Sequence, residues 1–92
     1  MDAIEKIKRE FKQSYADYLA AQDVLSYSEG KELSEITKTL VSLNYAMAKT
    51  EMETYKRIIE FTLDAELPAV DGIKRNEWLY NTYKSDIDKK TA

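Results

Sequence analysis

Three pairs of carboxylates stand two residues apart in this 92-residue chain: Glu51 and Glu53, Asp64 and Glu66, Asp86 and Asp88. Paired carboxylates are the raw material of general acid–base catalysis and of hard-cation binding. On a helix, however, side chains two apart diverge by about 200° and cannot share a proton or a metal. The chain also has no His and no Cys. That removes the commonest metal ligand, the usual general base and all thiolate chemistry. A helical di-metal site would need Glu-x-x-His pairs, and neither a Gly-rich phosphate loop nor a nucleophile elbow occurs. The sequence points away from an enzyme. It offers no catalytic, cofactor-binding or metal-ligating residue, and no cofactor or small-molecule substrate is expected.

The side chains that remain chemically distinctive are aromatic and basic. Seven Tyr and one Trp are many for so short a chain. Tyr15, Tyr18, Tyr55, Tyr80 and Tyr83 fall on apolar stripes, where they are expected to form core with their hydroxyls at the rim. Trp78 lies nearly opposite Tyr80 and Tyr83. It either covers the end of the preceding helix against Leu63 or Leu67 or anchors a partner. Basic residues gather weakly at Lys6 to Arg9, Lys74-Arg75 and Lys89-Lys90, but the net charge is −3 and no third of the chain is strongly polarised. A clamp on a phosphate backbone normally needs clustered Lys and Arg. These runs are read as solvated helix faces, and nucleic acid is not the expected partner.

Composition sets the class. With 43% hydrophobic and 34% charged residues, the chain is too apolar for disorder and too interrupted for a membrane span. The opening Met1-Asp2-Ala3 lacks the basic-then-apolar build of a secretory signal, and the absence of Cys fits a reducing compartment. A cytoplasmic protein without a membrane partner is expected.

The elements that must position these groups are helices. With two Gly and one Pro, the convincing breaks are Gly30 and the Leu67 to Gly72 stretch. The expected fold is all-α, one domain over 1–92. It is a helical hairpin with a long central helix plus a short C-terminal helix, spanning about 3–27, 31–66 and 74–88, the last starting at Ile73 or Asn76, and completed by oligomerisation. Asp2 with Glu5 forms a capping box for the first helix, and Ser26 with Glu29 suggests a second. The first helix carries one stripe: Ile4, Ile7, Phe11, Tyr15, Tyr18 and Leu25. The second carries two. Leu33, Ile36, Leu40, Leu43, Met47 and Ile58 are assigned to the first helix. Val41, Tyr45, Ala48, Met52, Tyr55, Ile59 and Leu63 lie about 120° away and need helix three or a second copy. Between them runs a polar seam. Thr37 and Thr62 are expected in water at its edge, whereas Asn44 and Glu51 either meet water or fix register and oligomer state.

The segment "LPAVDGIKRNEW", with Leu67, Pro68, Gly72, Lys74 and Asn76 after a long helix, resembles a pattern in small helical accessory proteins of tailed phages and mobile elements. The similarity covers about a dozen residues. It departs in having Ile73-Lys74-Arg75 where Lys-Asn would follow the Gly, and Trp78-Leu79 where charges are usual. The resemblance implies an accessory protein that binds a host or phage protein, and it assigns no functional residue.

Three functions follow from these observations. Foremost is a non-catalytic interaction module that self-associates and binds another protein through Val41, Tyr45, Ala48, Met52, Tyr55, Ile59 and Trp78. An alternative is an acidic inhibitor, such as of a nuclease, that occupies a nucleic-acid-binding partner through Asp17, Asp23, Glu53, Glu60 and Asp64. A lesser one is direct nucleic-acid binding through Lys6, Lys8, Arg9, Lys12 and Lys74-Arg75 with stacking Tyr side chains.

Overall fold

A computed structural model describes residues 2–90. The chain is all-α, with helices α1 (Ala3–Ser28), α2 (Glu35–Arg57) and α3 (Glu77–Lys90), and a π-helical turn, Ile58–Thr62, extending α2 without a break. The whole measures 49 × 20 × 19 Å. No helix among the described residues is long and apolar enough to cross a membrane.

Helix α1 starts where Asp2 Oδ1 accepts the Glu5 amide at 2.8 Å, the first half of the anticipated capping box. The second anticipated box does not form. Ser28 instead turns its hydroxyl back onto the Leu25 carbonyl, and α2 is capped by Ser34, whose Oγ accepts the Thr37 amide at 3.2 Å. The second helix therefore begins at Glu35 rather than Lys31. It passes through Asn44–Ala48 unbroken and ends well before Pro68. At the π-turn the Leu63 amide reaches the Ile58 carbonyl at 2.9 Å, and Asp64, at φ 46°, takes the left-handed conformation that a short polar side chain tolerates.

From there the chain climbs beside α1. Gly72, at φ 84°, closes a turn open to few other residues. Asn76 then does three things. Its backbone amide donates to the Ala16 carbonyl at 3.0 Å, its Nδ2 donates to Asp17 Oδ1 at 2.8 Å, and its Oδ1 accepts the Leu79 amide as the cap of α3. The third helix consequently starts at Glu77, directly after Asn76, the later of the two expected starts, and not at Ile73. Next to this cap, Arg75 reaches Asp23 at 2.9 Å and Glu77 at 2.8 Å while stacking over the Tyr80 ring. Both carboxylates favour the charged guanidinium, Glu77 foremost. At the far end Tyr27 donates to Asp88 at 2.5 Å.

These contacts make α1, not α2, the central helix, flanked by α2 on one side and α3 on the other. Its buried residues are Phe11, Ser14, Ala20, Ala21 and Val24. The small ones let the neighbours approach, and Ser14 settles its hydroxyl on the Phe11 carbonyl at 2.7 Å. All three helices meet at Val24, Val41 and Ile87, packed round by Leu25, Leu33, Tyr80 and Tyr83.

Replacing Asn76 with Ala removes both a helix cap and a bond to α1. A loss of about 1–3 kcal/mol is expected in urea unfolding, with faster amide exchange concentrated in α3. Asn76→Asp keeps the cap but faces Asp17 with a like charge, so it should recover only part of that loss.

Candidate interaction surface

The two apolar faces of α2 have exchanged the roles anticipated for them. Val41 and Ile59 are buried, and Tyr45, Ala48, Met52, Tyr55 and Leu63 are half-buried on the side toward α1. Tyr45 continues a run of tilted rings, Phe11–Tyr15–Tyr18–Tyr45, with centroids 6.2, 5.9 and 5.8 Å apart. Rings at such separations attract beyond their buried area. This face is spent on the chain's own core and is not the open surface expected of it.

Of the face assigned to α1, Leu33 packs on the core and Ile58 is half-buried, but the four residues between them are left outside. Ile36 is 75% exposed, Leu40 46%, Leu43 51% and Met47 68%. At intervals of four, three and four residues they form one continuous strip along α2. Shallow grooves border it, one by Ile36, Thr39 and Leu40, another by Ala46, Met47, Thr50 and Glu51. The inner of two comparably oily stripes is the one whose shape meets α1: Tyr45 lies against the Tyr18 ring and Val41 packs with Val24.

The polar seam divides along its length. Thr37, expected in water, is buried and hydrogen-bonded to Ser34 Oγ at 3.0 Å. Asn44 is half-buried beside Leu40 in a cavity of about 140 Å³ between α2 and α3, floored by Val24, Val41 and Ile87. Glu51 and Thr62 are exposed. Trp78 is 72% exposed, so it does not cover the end of α2, and Phe61 lies open on the π-turn itself. Trp78 stands on the outer side of α3, apart from the strip's heptad spacing.

Several charged residues of the other two readings are already engaged. Asp17 and Asp23 hold Asn76 and Arg75, which takes two carboxylates from the acidic-inhibitor set and one cation from the nucleic-acid set. Glu53 is half-buried, while Glu60 and Asp64 are exposed. Among the described residues no group of three or more His, Cys, Asp or Glu is placed to hold a metal ion. What sequence reasoning missed is the openness of Ile36, Leu40, Leu43 and Met47; a helical wheel shows two stripes but not which one a neighbour covers.

No family model matches this chain, and neither a curated protein nor a solved structure matches it.

The α1–α2 seam carries one titration. Hydrogen bonding with Tyr45, then burial, lifts the Tyr18 phenol above its ordinary 10.0. The folded chain thus holds this proton more tightly than the unfolded chain does. Its contribution to stability is complete below the unfolded value and is lost as pH rises through the folded one. Unfolding titrations from pH 8 to 11 should show stability falling above about pH 10, and Tyr18→Phe should flatten part of that slope.

Proposed function

We propose that this chain is a non-catalytic helical interaction module that associates with a second copy of itself through the exposed strip of α2. The observation that carries the reading is the strip itself: four large apolar side chains in a row, unshielded in a domain whose own core is thin. Isolated exposed apolar residues are ordinary, whereas an uninterrupted row of this kind marks an interaction site.

The strip suits a second copy. Laid antiparallel, it places Ile36 opposite Met47 and Leu40 opposite Leu43 about a two-fold axis, a self-complementary layer pattern. At the strip's edges between 36 and 47 stand Thr39, Asn44 and Ala46, all uncharged, while Thr37 is turned inward and buried. Within that span no like charges oppose the approach, and Ala46 against Thr39 lets the helices come close; Glu35 and Glu51 stand just outside it, in the grooves at its two ends. Asn44 sits where it can bond across the pair, a placement that fixes register.

Beyond self-association, the reading extends to a cytoplasmic accessory protein of a phage or mobile element that engages another protein. The similarity around Leu67 to Trp78 supports that extension, and the exposed Trp78 and Phe61 supply aromatic anchors outside the strip.

Sedimentation equilibrium at micromolar concentration should return a mass above one protomer. Leu40→Ser with Leu43→Ser should weaken association by about 100-fold or more, since each Leu contributes about 1.5–3 kcal/mol when fully buried, while the helical content stays. A wild-type chain that sediments as a monomer up to tens of micromolar, or a double variant that associates undiminished, would sink the reading.

A further inference from the structure

At the end of the molecule remote from the strip, the first turns of α1 and the segment after the π-turn enclose a cleft of about 580 Å³. Its helical wall carries Lys8, Arg9 and Lys12, and its opposite wall is Leu67-Pro68-Ala69, with Glu5 and Glu66 also lining it. We propose that this cleft binds a compact phosphate-bearing anion, such as a pyrophosphate or a phosphomonoester with a small apolar body.

Placement comes first. Lys8 and Lys12 are one helical turn apart, and Arg9 and Lys12 are three residues apart, so the three cations share one sector of α1. Glu5 stands at i+3 and i+4 spacing from Lys8 and Arg9, a separation that commonly favours pairing. Yet the ion pairs among the described residues are Glu35–Lys38, Asp23–Arg75 and Glu77–Arg75, and none involves these three cations. Three positive side chains therefore converge on one volume without an internal counter-ion within 4 Å, in a chain that is acidic overall.

The second consideration is what completes a site. On the segment that forms the facing wall, the amides of Leu67 and Ala69 make no hydrogen bond to another described residue. Leu67 and Pro68 are half-buried and give an apolar surface for the body of a ligand. Arg supplies a planar two-pronged donor for phosphate oxygens, and Lys a mobile point charge. The volume falls within the usual range for small-molecule clefts.

Two features favour a compact anion over a polymer. Glu5 and Glu66 line the same cleft as the cations, so a chain of phosphates running out of it would meet carboxylates. The other basic side chain that could extend a track at this height, Lys6, is exposed and does not line the cleft.

The test titrates pyrophosphate into the ¹⁵N-labelled full-length chain at low ionic strength and follows every amide. A saturable shift centred on residues 5–12 and 66–69 is expected. It should weaken about ten-fold or more in Lys8→Gln with Lys12→Gln, strengthen in Glu66→Gln as repulsion is relieved, and persist in Lys89→Gln with Lys90→Gln. All the substituted carboxamides replace exposed or half-exposed side chains, and circular dichroism checks that the helices remain. Shifts that never saturate, or that spread equally over Lys31, Lys74 and Lys89-Lys90, overturn the proposal. A second arm uses a single-stranded oligonucleotide at equal phosphate concentration. Tighter binding there, with a footprint running beyond the cleft, assigns the cations to a polymer and also overturns it. The monomeric Leu40→Ser, Leu43→Ser chain should titrate like the parent, so this site and self-association stand or fall separately.

Discussion

A helix can be covered on two sides where its side chains are small enough for both neighbours to approach, and α1 is the helix that meets this condition. Ala20 and Ala21 are buried, Ser14 has turned its hydroxyl onto its own backbone, and Val24 completes the contact. Everything else follows from that placement. With α1 in the middle, α2 gains one mate instead of two. Its tyrosine-bearing face closes on α1, and its other face stays open. Among the described residues no further helix is left to cover that face. The unshielded strip is the geometric remainder of a three-helix arrangement in which one short helix joins α1 rather than α2.

What holds α3 to α1 is mostly polar, which explains why the remainder falls where it does. Asn76 joins its own helix cap to the Ala16 carbonyl and the Asp17 carboxylate, and Arg75 lies across Tyr80 to reach Asp23. The polar side of α1 is thereby used as a docking surface. Exposed ion pairs contribute little stability individually, but hydrogen bonds with fixed geometry specify orientation. A direction is thus imposed on α3 from its first residue, and Ile87 is carried to the single point where all three helices meet. Burial there is small, so α3 belongs to the less stable part of the molecule.

The two outward features differ in chemistry and in place. The apolar strip lies beside the C-terminal half of α1 and the basic cleft at its N-terminal turns, so an oily surface and a charged one occupy different stretches of the same elongated molecule. An association through the strip would leave the cleft open at each end of an antiparallel pair. The helix dipole adds positive potential at the start of α1, in the same sense as Lys8, Arg9 and Lys12.

Read alone, the sequence determined the class of fold and its punctuation. Periodicity of 3.6 is local, so three helices, the Asp2 cap, the break at Gly30 and the two stripes of α2 were legible from residue types and spacing. Boundaries were less so: Ser34 caps a helix whose start the apolar pattern alone placed four positions earlier, and Asn76 was one of two starts that pattern left open, because a cap depends on which side chain folds back onto the backbone. The tertiary structure alone decided which stripe of α2 is core. Hydrophobicity counts could not separate Ile36, Leu40, Leu43 and Met47 from Val41, Tyr45, Met52 and Ile59. That choice rests on interdigitation with α1, a property of two surfaces and not of either sequence segment. For the same reason Asp17 and Asp23 read as solvated charges until Asn76 and Arg75, more than fifty residues away, were brought against them.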